Sequence, residues 1–571
     1  MNILGLYAAG LGHDTCAALV KDGKLVAAAE EERFDRVKHT SAPPVRAAKF
    51  CLDYANLSLD DIDYIAVGWD PSLWLRRNAL SSIEGMVQYF IQSFFRLFRR
   101  ETSQGGAISR AKIYRKKFRP IERYWYNEYV APTVKRTFDE IRAKVIYFEH
   151  HLAHAAASFY TSGFKDASIV TIDAQGELNS TVLWQGIDNS IEKIREESEQ
   201  NSLGFFYEEV TNYLGLGWLG AGKTMGLAPY GEPSKEMMEK IEAHIDLNAP
   251  LYRRKIKFLR SDILGFPPRT TQSPLEKEYR NLAYCAQDFL ERAILKCVEY
   301  VIRRTNIRTC VLGGGVALNC TANSRIINSG LVEDLHIFPA TNDGGVAVGA
   351  ALACAAMLGE KPKFKLTHAY WGPEFSCEKI ETMLKNNKIK YEKYDDIAGI
   401  TAELLAKGKI VGWFQGRMEI GPRALGNRSI LADPTKKEMW STVNKIKGRE
   451  PWRPLAPSIL LEAIDEYFEK PRESPFMLLT FKVKESERKK VPAIVHVDGT
   501  TRPQTVTKEV NPRYYRLIKA FEEITGVPLV LNTSFNVAKE PIVCTPEDAL
   551  RTFYTSPLDC LVLENCLIRK D

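Results

Sequence analysis

The fold is decided by residues 168–185, which read SIVTIDAQGELNSTVLWQ. Apolar runs at both ends of this stretch predict two strands, and an acidic, glycine-containing turn at 173–177 separates them. The first thirty residues repeat the arrangement, with strands predicted at 2–8, 15–21 and 24–29 and a turn at 10–14 that contains glycine, histidine and aspartate. Two such units can face one ligand from two sides, because backbone amides in these turns bind phosphate and an aspartate binds a metal.

Further glycine turns follow in chain order. One lies at 313–319 after an apolar run, and the next, at 342–345, opens a helix predicted at 346–357. A helix N-terminus behind such a turn favours phosphate, because its amide hydrogens are free and its dipole is positive. These turns predict an α/β (mixed α+β) fold whose N-terminal part is the duplicated, actin-like fold of the actin and sugar-kinase class (ASKHA). Lys223, in another glycine loop, is a candidate phosphate contact or an ordinary surface lysine.

Length and composition limit the classes of protein to consider. A chain of 571 residues is expected to form about two to four domains. Its 78 basic and 71 acidic residues leave a net charge of +7, too small an excess to indicate a nucleic-acid partner. No apolar run reaches the ~18 residues of a membrane span, and the N-terminus lacks the basic segment of a signal peptide. Eleven cysteines without a Cys-x-x-Cys pair indicate reduced thiols and a cytoplasmic location.

The segment 72–140 differs from the rest of the chain. Large apolar residues at 81–98 and many basic residues at 96–117 predict a helical insertion with a solvated basic face. An amphipathic surface for a membrane or a lipid-bearing acceptor is the alternative. A stretch with lysine and proline at 361–365 is the expected link to a second domain, whose own pattern begins near Trp371.

The sharpest chemical signal is the sequence EHHLAH, which contains His150, His151 and His154. His150 and His154 are four residues apart, so their imidazoles project from one helix face, whereas His151 is expected to point elsewhere. Asp173 and Asp343 lie in turns expected to converge on the same cleft, and two imidazoles with carboxylates suit Fe²⁺, Mn²⁺ or Zn²⁺. Core or capping histidines are the alternative, which is preferred for the isolated His244, His336, His368 and His496.

The C-terminal part is rich in clustered cations. Three arginines lie among glycines at 416–429, and a second basic stretch follows at 445–454. Gathered cations need an anion to hold them, and arginine forks match phosphate oxygens. The sequence therefore predicts a site for a small phosphate compound and a nucleoside triphosphate. Salt-bridged surface arginines are the alternative, and Arg449 beside Glu450 fits that pattern well.

At these residues the chain resembles the O-carbamoyltransferases of antibiotic and nodulation-factor biosynthesis. The resemblance covers both halves in order, whereas the segment 72–140 shows no family pattern, which leaves the acceptor open. The matching motifs lie at 29–34, 38–39, 150–154, 223–227, 313–319, 342–345, 416–431, 447–457 and 532–536.

The resemblance implies two joined domains. Residues 1–365 would form a transfer domain similar to the universal tRNA threonylcarbamoyl transferase, and residues 366–571 a YrdC-like α/β domain similar to the enzyme that makes threonylcarbamoyl-adenylate. The second domain would make carbamoyl-adenylate from carbamoyl phosphate and ATP with Mg²⁺. Fe²⁺ or another divalent transition metal in the first would support transfer to a hydroxyl of a small-molecule natural product. A homodimer stays open.

The resemblance also implies roles for individual residues. His13 and Lys38 would be catalytic residues at the transfer site, with His13 as general base or acceptor ligand. The metal ligands would be His150, His154, Asp173 and Asp343. The nucleotide would contact Gly176, Lys223, Gly313, Gly314, Gly315, Asn319 and Gly344. Carbamoyl phosphate and the ATP phosphates would be bound by Arg417, Arg423, Arg428, Lys447, Arg453, Arg502 and Asn532.

Three other functions compete with carbamoyl transfer. A sugar-kinase-like phosphotransferase shares the N-terminal fold but leaves the His150/His154 pair and the basic C-terminal part unexplained. A threonylcarbamoyl transfer protein acting on tRNA explains both halves, but the small charge excess argues against RNA. A non-catalytic ATP-binding protein predicts the loss of some phosphate or metal positions, and none is missing.

Overall fold

The structure is a computed structural model that describes residues 1–8, 13–70, 73, 142–249, 251–256 and 258–570. The predicted insertion at 72–140 therefore lies outside the described residues, apart from Leu73. Within the described part of the chain, no helix is both long and apolar enough to cross a membrane.

The first sheet consists of β1 (Asn2–Tyr7), β2 (Cys16–Lys21), β3 (Lys24–Glu30), β4 (Tyr64–Val67) and β5 (Lys144–Tyr147). Its strand order is β3-β2-β1-β4-β5. β1 pairs antiparallel with β2 and parallel with β4, and β4 pairs parallel with β5. β2 and β3 are joined by a tight turn, in which Asp22 and Gly23 both have positive φ angles, of 49° and 72°.

The second sheet repeats the topology of the first. It consists of β6 (Asp166–Ile172), β7 (Asn179–Ile187), β8 (Ser190–Ser198), β9 (Thr309–Gly313) and β10 (Asp334–Ile337). The strand order is β8-β7-β6-β9-β10, with antiparallel pairs on one side of β6 and parallel pairs on the other. The recurrence inferred from residues 168–185 is therefore present in the sheets themselves.

Helices cover both sheets and the space between them. The helices of this part are α1 (Glu32–Asp35), α2 (Val45–Tyr54), α3 (His150–Tyr160), α4 (Leu203–Tyr213), α5 (Ala221–Leu227), α6 (Lys235–His244), α7 (Ser261–Leu264), α8 (Lys277–Thr305), α9 (Cys320–Asn328) and α10 (Val346–Met357). α10 packs on β1 and β2, α3 packs on β6 and β9, and the two helices cross. They cross closely at Gly349, where a Cβ atom would lie 1.8 Å from the carbonyl oxygen of Ala153. The small side chains of both helices therefore fix the distance between the sheets.

The third sheet has eight strands, β11 (Glu392–Lys393), β12 (Val411–Phe414), β13 (Arg428–Ala432), β14 (Ala456–Leu460), β15 (Gln504–Val506), β16 (Leu529–Ser534), β17 (Cys560–Leu563) and β18 (Cys566–Arg569). Their order is β11-β18-β17-β12-β13-β16-β14-β15. The helices around it are α11 (Cys377–Asn386), α12 (Ile397–Ala406), α13 (Glu438–Ile446), α14 (Ile464–Tyr467), α15 (Pro512–Thr525) and α16 (Pro546–Tyr554). Apolar side chains between Ile380 and Ile568 form a core of their own around this sheet. The predicted mixed α/β class is confirmed, and the division at 365/366 stays a prediction.

Hydrogen bonds join the third-sheet part to the two preceding sheets. Asn323 Nδ2 on α9 donates to the carbonyl of Leu478 over 3.0 Å. Tyr230 Oη donates to the carbonyl of Trp452 over 3.1 Å. These contacts hold the loops after β13 against α5 and α9, beside the glycine turns predicted to bind a nucleotide.

Candidate functional site

The four side chains predicted as metal ligands converge at the start of α3. His150 Nε2 lies 3.0 Å from His154 Nε2, and His154 Nε2 lies 3.1 Å from Asp173 Oδ2. Asp343 Oδ1 lies 3.5 Å from His150 Nε2 and 3.7 Å from His154 Nε2. One nitrogen or oxygen atom from each residue lies within 4.8 Å of the others. We call this group the metal-competent cluster.

Both carboxylates of the metal-competent cluster are held by hydrogen bonds. Asp173 follows β6, and its Oδ2 accepts the amide hydrogen of Gly315 over 2.9 Å. Asp343 precedes α10, and its Oδ2 accepts the hydroxyl hydrogen of Tyr7 on β1 over 2.6 Å. Tyr7 was not predicted, because an apolar-looking strand gave no sign that its last residue reaches Asp343.

Electrostatics in the metal-competent cluster favour positive charge. Burial opposes protonation of His154, but the adjacent carboxylates of Asp173 and Asp343 outweigh it and raise its pKa to about 9. Burial likewise opposes ionisation of Asp343, yet the adjacent imidazoles of His150 and His154 hold its pKa well below the usual range. Since a metal-bound imidazole must be deprotonated, binding of a cation would displace this proton.

His151 points away from the cluster, as predicted. Its Nδ1 lies 3.0 Å from Thr171 Oγ1 and its Nε2 lies 3.0 Å from the carbonyl oxygen of Asn179. Burial lowers its pKa to about 3, so the ring is neutral. Glu177, in the predicted turn, accepts the backbone amide hydrogen of His150 over 3.1 Å. A carboxylate at this helix N-terminus is electrostatically favourable and fixes the helix on which both ligand imidazoles lie.

His13 belongs to a second group beside the metal-competent cluster. Its Nδ1 lies 3.1 Å from Asp14 Oδ2, and His39 Nδ1 lies 2.7 Å from Asp14 Oδ1. Asn342 Nδ2 donates to Asp14 Oδ2 over 3.0 Å, and the next residue is Asp343. Burial opposes protonation of His13, but the adjacent Asp14 carboxylate and the charge of Asp343 raise its pKa to about 9. Asp14 was expected only as the aspartate of a metal-binding turn, and His39 only as part of the motif at 38–39, so the contact between them was not predicted.

The predicted glycine turns surround the metal-competent cluster. Gly314 has a φ of 86°, and a Cβ atom there would lie 2.2 Å from the carbonyl oxygen of Ile172. A Cβ atom on Gly313 would lie 2.9 Å from the carbonyl oxygen of His154. A Cβ atom on Gly176 would lie 2.7 Å from the ring of His151. A Cβ atom on Gly344 would lie 3.1 Å from the side chain of Glu30. These glycines allow close packing around the cluster, and their nucleotide contacts stay predictions.

Two other predicted nucleotide residues are engaged within the protein. Asn319 Oδ1 caps α9 by accepting the amide hydrogen of Ala322 over 3.1 Å, and the side chain also bonds to Gln287. Lys223 Nζ lies 2.9 Å from Glu450 Oε1 and thereby links α5 to the loop after α13.

A second site is formed by clustered cations, which we call the cationic cluster: Arg423, Lys447, Arg449, Arg453 and Arg502. Burial lowers the pKa of Arg423, and the charges of Arg502, Arg449 and Arg453 lower it further. Its Nε atom is buried without a hydrogen-bond partner among the described residues. Such an arrangement is unfavourable unless an anion compensates it.

Arg449 corrects one of the sequence interpretations. The expected surface salt bridge between Arg449 and Glu450 is wrong, because Glu450 lies 2.9 Å from Lys223 and 3.7 Å from Arg453. Arg449 lies among the cations instead, with its Nη1 3.4 Å from Thr533 Oγ1. Adjacent residues on a turn point in different directions, so their opposite charges did not determine pairing.

Lys447 lies at the base of the cationic cluster and is 2% exposed. Its Nζ donates to Ser534 Oγ over 3.0 Å and to Asn536 Oδ1 over 2.5 Å. Burial, followed by the charges of Arg449 and Lys38, holds its pKa well below the usual range. Asn532, on the same strand as Ser534, donates to Ser458 Oγ over 2.9 Å.

Lys38 lies near residues of the cationic cluster. Burial lowers its pKa, and the charges of Arg449, Arg33 and Arg453 lower it further, whereas the charge of Glu32 opposes this shift. The next residue, His39, contacts Asp14. The motif at 38–39 therefore has one residue directed to each of the two sites.

Arg417 and Arg428 are not brought into the cationic cluster. Arg417 donates to the carbonyl of Trp371 over 2.6 Å, and its guanidinium lies 4.0 Å from the ring centre of Tyr54. Arg428 is fully buried, lies 3.6 Å from the ring centre of Phe414 and donates to several backbone carbonyls. These hydrogen bonds stabilise the 416–428 turn, so the predicted grouping of all three arginines is not found.

An open cavity of about 1050 Å³ lies on the N-terminal side of the molecule. Trp218 and Phe258 line it and are 61% and 62% exposed. Gln175, two residues after Asp173, and Glu208 also line it. Burial raises the pKa of Glu208, whereas the amide hydrogen of Leu219, which its carboxylate accepts, and the charge of His13 oppose that shift.

Comparison with known proteins identifies the family of the chain. A family model described as Carbamoyltransferase N-terminus matches residues 2–352, and one described as Carbamoyltransferase C-terminus matches residues 402–570. These matches are those of a group-transfer enzyme. The chain belongs to the carbamoyltransferase family.

Three relatives illustrate the range of the family. An uncharacterized protein of Synechocystis sp. is 37% identical over all of this chain and 97% of its own length. Nodulation protein NolNO of Sinorhizobium fredii is 37% identical over 98% of this chain and 79% of its own length. The 3'-hydroxymethylcephem-O-carbamoyltransferase of Amycolatopsis lactamdurans is 37% identical over 41% of this chain and 43% of its own.

Proposed function

We propose that this protein is an ATP- and metal-dependent O-carbamoyltransferase that acts on a hydroxyl of a small-molecule natural product. The observation that carries the proposal is the pairing of a phosphate-seeking cationic cluster with a separate metal-competent cluster, within a chain of the carbamoyltransferase family. The first cluster would form carbamoyl-adenylate, and the second would be the place of transfer. We place the boundary between the two domains at 365/366.

The first step is an adenylation. Carbamoyl phosphate, ATP and one water become carbamoyl-adenylate, inorganic phosphate and pyrophosphate. Water first cleaves the anhydride linkage of carbamoyl phosphate, which gives carbamate and inorganic phosphate. A bond then forms between a carbamate oxygen and the α-phosphorus, and the bond from that phosphorus to the pyrophosphate oxygen breaks. Arg423, Arg449, Arg453 and Arg502 would bind the phosphate oxygens, and Lys447 would add a point charge.

The second step transfers the carbamoyl group. The acceptor oxygen bonds to the carbamoyl carbon, and AMP leaves with the electron pair of the broken carbon–oxygen bond. The raised pKa of His13 favours an imidazolium that donates a hydrogen bond to the departing phosphate, rather than the general base of the sequence prediction. Glu208 lines the cavity with a raised pKa and is the better candidate to take the hydroxyl proton. Glu208→Gln should therefore slow transfer to any acceptor found by screening and leave pyrophosphate release unchanged.

The metal-competent cluster fits a divalent transition metal. Its donor set, two imidazoles and two carboxylates in one buried group, suits Fe²⁺, Mn²⁺ or Zn²⁺, and His150, His154, Asp173 and Asp343 would hold the ion. When bound, such an ion would act as a Lewis acid toward the carbamoyl or phosphate oxygens.

The cavity is our candidate for the acceptor site. Exposed aromatic faces of Trp218 and Phe258 beside amide and carboxyl groups suit a hydroxylated small molecule with an apolar face. The relative from Amycolatopsis lactamdurans is named for a hydroxymethyl acceptor, which agrees with a hydroxyl as the receiving group.

The proposal is tested without the acceptor. Purified protein is incubated with ATP, Mg²⁺, carbamoyl phosphate and Fe²⁺, and pyrophosphate and carbamoyl-adenylate are measured, the latter by mass spectrometry. Arg423→Ala should abolish both products, whereas His150→Ala should spare them. Release of ADP with no adenylate would contradict the proposal and favour a kinase-like phosphotransferase.

A further inference from the structure

Residues 30–39, here called the linking segment, run between the two candidate sites. The segment follows β3 and contains α1. At its end, His39 contacts Asp14, which also pairs with His13. Lys38 lies near Arg449 and Arg453 of the cationic cluster. The sequence motif at 29–34 marked this region without giving it a role.

Two buried side chains of the linking segment hold one residue of the C-terminal part. Glu30 Oε1 accepts the amide hydrogen of Gly421 over 2.9 Å, and Arg33 Nη2 donates to the carbonyl oxygen of Gly421 over 2.9 Å. Glu30 and Arg33 also pair with each other at 3.2 Å, and the two residues are 5% and 3% exposed. Gly421 has a φ of 92°, and a Cβ atom there would lie 2.6 Å from the carbonyl oxygen of Pro339. The peptide groups on both sides of Gly421 are therefore fixed.

The linking segment is attached to the C-terminal part at other points as well. Arg36 Nη1 donates to the carbonyl of Ile542 over 2.7 Å, and its Nε lies 3.4 Å from Asp548 Oδ1. Phe34 packs against a small apolar group that contains Met418, Ile542 and Cys544. These contacts prevent the segment from moving independently of the third sheet.

Glu30 contacts turns that lead to both sites. Gly421 lies two residues before Arg423 of the cationic cluster. On the other side, a Cβ atom at Gly344 would lie 3.1 Å from Glu30 Cγ, and Gly344 adjoins Asp343 of the metal-competent cluster. A shift of the Glu30 carboxylate would therefore change the position of one cluster relative to the other.

We propose that the buried Glu30–Arg33 pair is a positioning device that keeps the cationic cluster aligned with the transfer site. Its consequence, which rests on the proposed function, is that carbamoyl-adenylate stays bound between the two sites until an acceptor arrives. Stability alone is a weak reason for such a pair, because the desolvation of a buried ion pair offsets most of its attraction. Alignment gives the pair a role, because small misplacements of reacting groups have large effects on rate.

The test compares two neighbouring glutamates in the full-length protein. Glu30→Gln breaks the ion pair at Gly421, whereas Glu31→Gln makes the same change in a buried carboxylate that accepts amide hydrogens of Arg46 and Ala47 within the N-terminal part. The double variant Glu30→Leu/Arg33→Met removes both charges of the pair together. Glu32, which lies 3.0 Å from Arg33, keeps the amide hydrogen of His39 as its partner in that variant.

The first measurement is hydrogen–deuterium exchange of the peptide 416–426 in the protein without ligands. We expect exchange about tenfold faster in both Glu30 variants and unchanged in Glu31→Gln. The second measurement is pyrophosphate release without an acceptor. Wild type and Glu31→Gln should stop near one equivalent per chain, because the adenylate is retained. The Glu30 variants should release about tenfold more pyrophosphate per chain than wild type, because the adenylate leaves these variants and hydrolyses to AMP and carbamate.

The two measurements separate this inference from the proposed function. The inference would be overturned if both Glu30 variants showed the same hydrogen exchange and the same pyrophosphate release as wild type. If wild type releases no pyrophosphate, the proposed adenylation fails, and the exchange experiment alone decides whether the pair positions the 416–426 turn. Faster exchange then supports the positioning role, and unchanged exchange refutes it.

Discussion

The hydroxyl of Tyr7 donates to Oδ2 of Asp343 over 2.6 Å, and Tyr7 is 1% exposed. The other oxygen of that carboxylate, Oδ1, faces the imidazoles of His150 and His154. A side chain on the first strand of one sheet thus orients a group at the end of the other.

Tyr7→Phe should weaken binding of a divalent metal. Loss of an outer hydrogen bond to a ligand typically lowers metal affinity by about 10- to 100-fold. Affinity for Fe²⁺, Mn²⁺ and Zn²⁺ can be measured by calorimetry under anaerobic conditions. Tyr160→Phe is the matched control, because its hydroxyl donates to the carbonyl of Asn189 instead. Equal affinities in the two variants would contradict this role for Tyr7.

Arg423→Gln should abolish adenylate formation and still raise the melting temperature of the ligand-free protein, by about 2 °C. Burial and nearby cations disfavour the Arg423 guanidinium, so its removal relieves repulsion. Differential scanning fluorimetry without phosphate measures the effect. Arg195→Gln removes an ion pair with Glu197 at 3.0 Å and should not stabilise the protein. A lower melting temperature for Arg423→Gln would show that no such repulsion exists.

Binding of sulfate, an anion whose charge does not change with pH in this experiment, should weaken as the pH rises through the lowered pKa of Lys447. Burial and the charges of Arg449 and Lys38 hold that pKa well below its usual range, so the ammonium is present at low pH and is lost as the pH rises. Calorimetry in two buffers of different ionisation enthalpy should also detect proton uptake on binding. Lys447→Met should bind weakly at every pH, and a similar pH slope in that variant would assign the effect to another group.

His151→Ala should destabilise the protein without removing the metal. Its neutral ring bridges Thr171 and Asn179, and loss of both bonds costs about 1–3 kcal/mol. His154→Ala should do the reverse, with loss of bound metal as the main effect. Metal content by elemental analysis and unfolding by circular dichroism distinguish them. Metal loss in His151→Ala at temperatures where it is folded would argue against this separation.

Sequence analysis predicted interactions between residues that are close in the chain better than interactions between residues that only the fold brings together. The spacing of His150 and His154 sufficed because helix geometry determines which residues share a face. Nothing local distinguished Arg428 from Arg423, because their difference lies in which backbone carbonyls reach each guanidinium. The contact between Asp14 and His39 was missed for the same reason, since 24 residues of chain separate them and only the folded sheet brings them together.

The matching strand orders of the first two sheets carry a last consequence. In each sheet the fifth strand leads into a helix, and the two helices begin at equivalent places, one with His150 and the other just after Asp343. The two helix starts thus contribute different side chains, imidazoles in one case and a carboxylate in the other. Neither sheet with its own helix holds all four side chains, so the metal-competent cluster exists only where the two repeats meet.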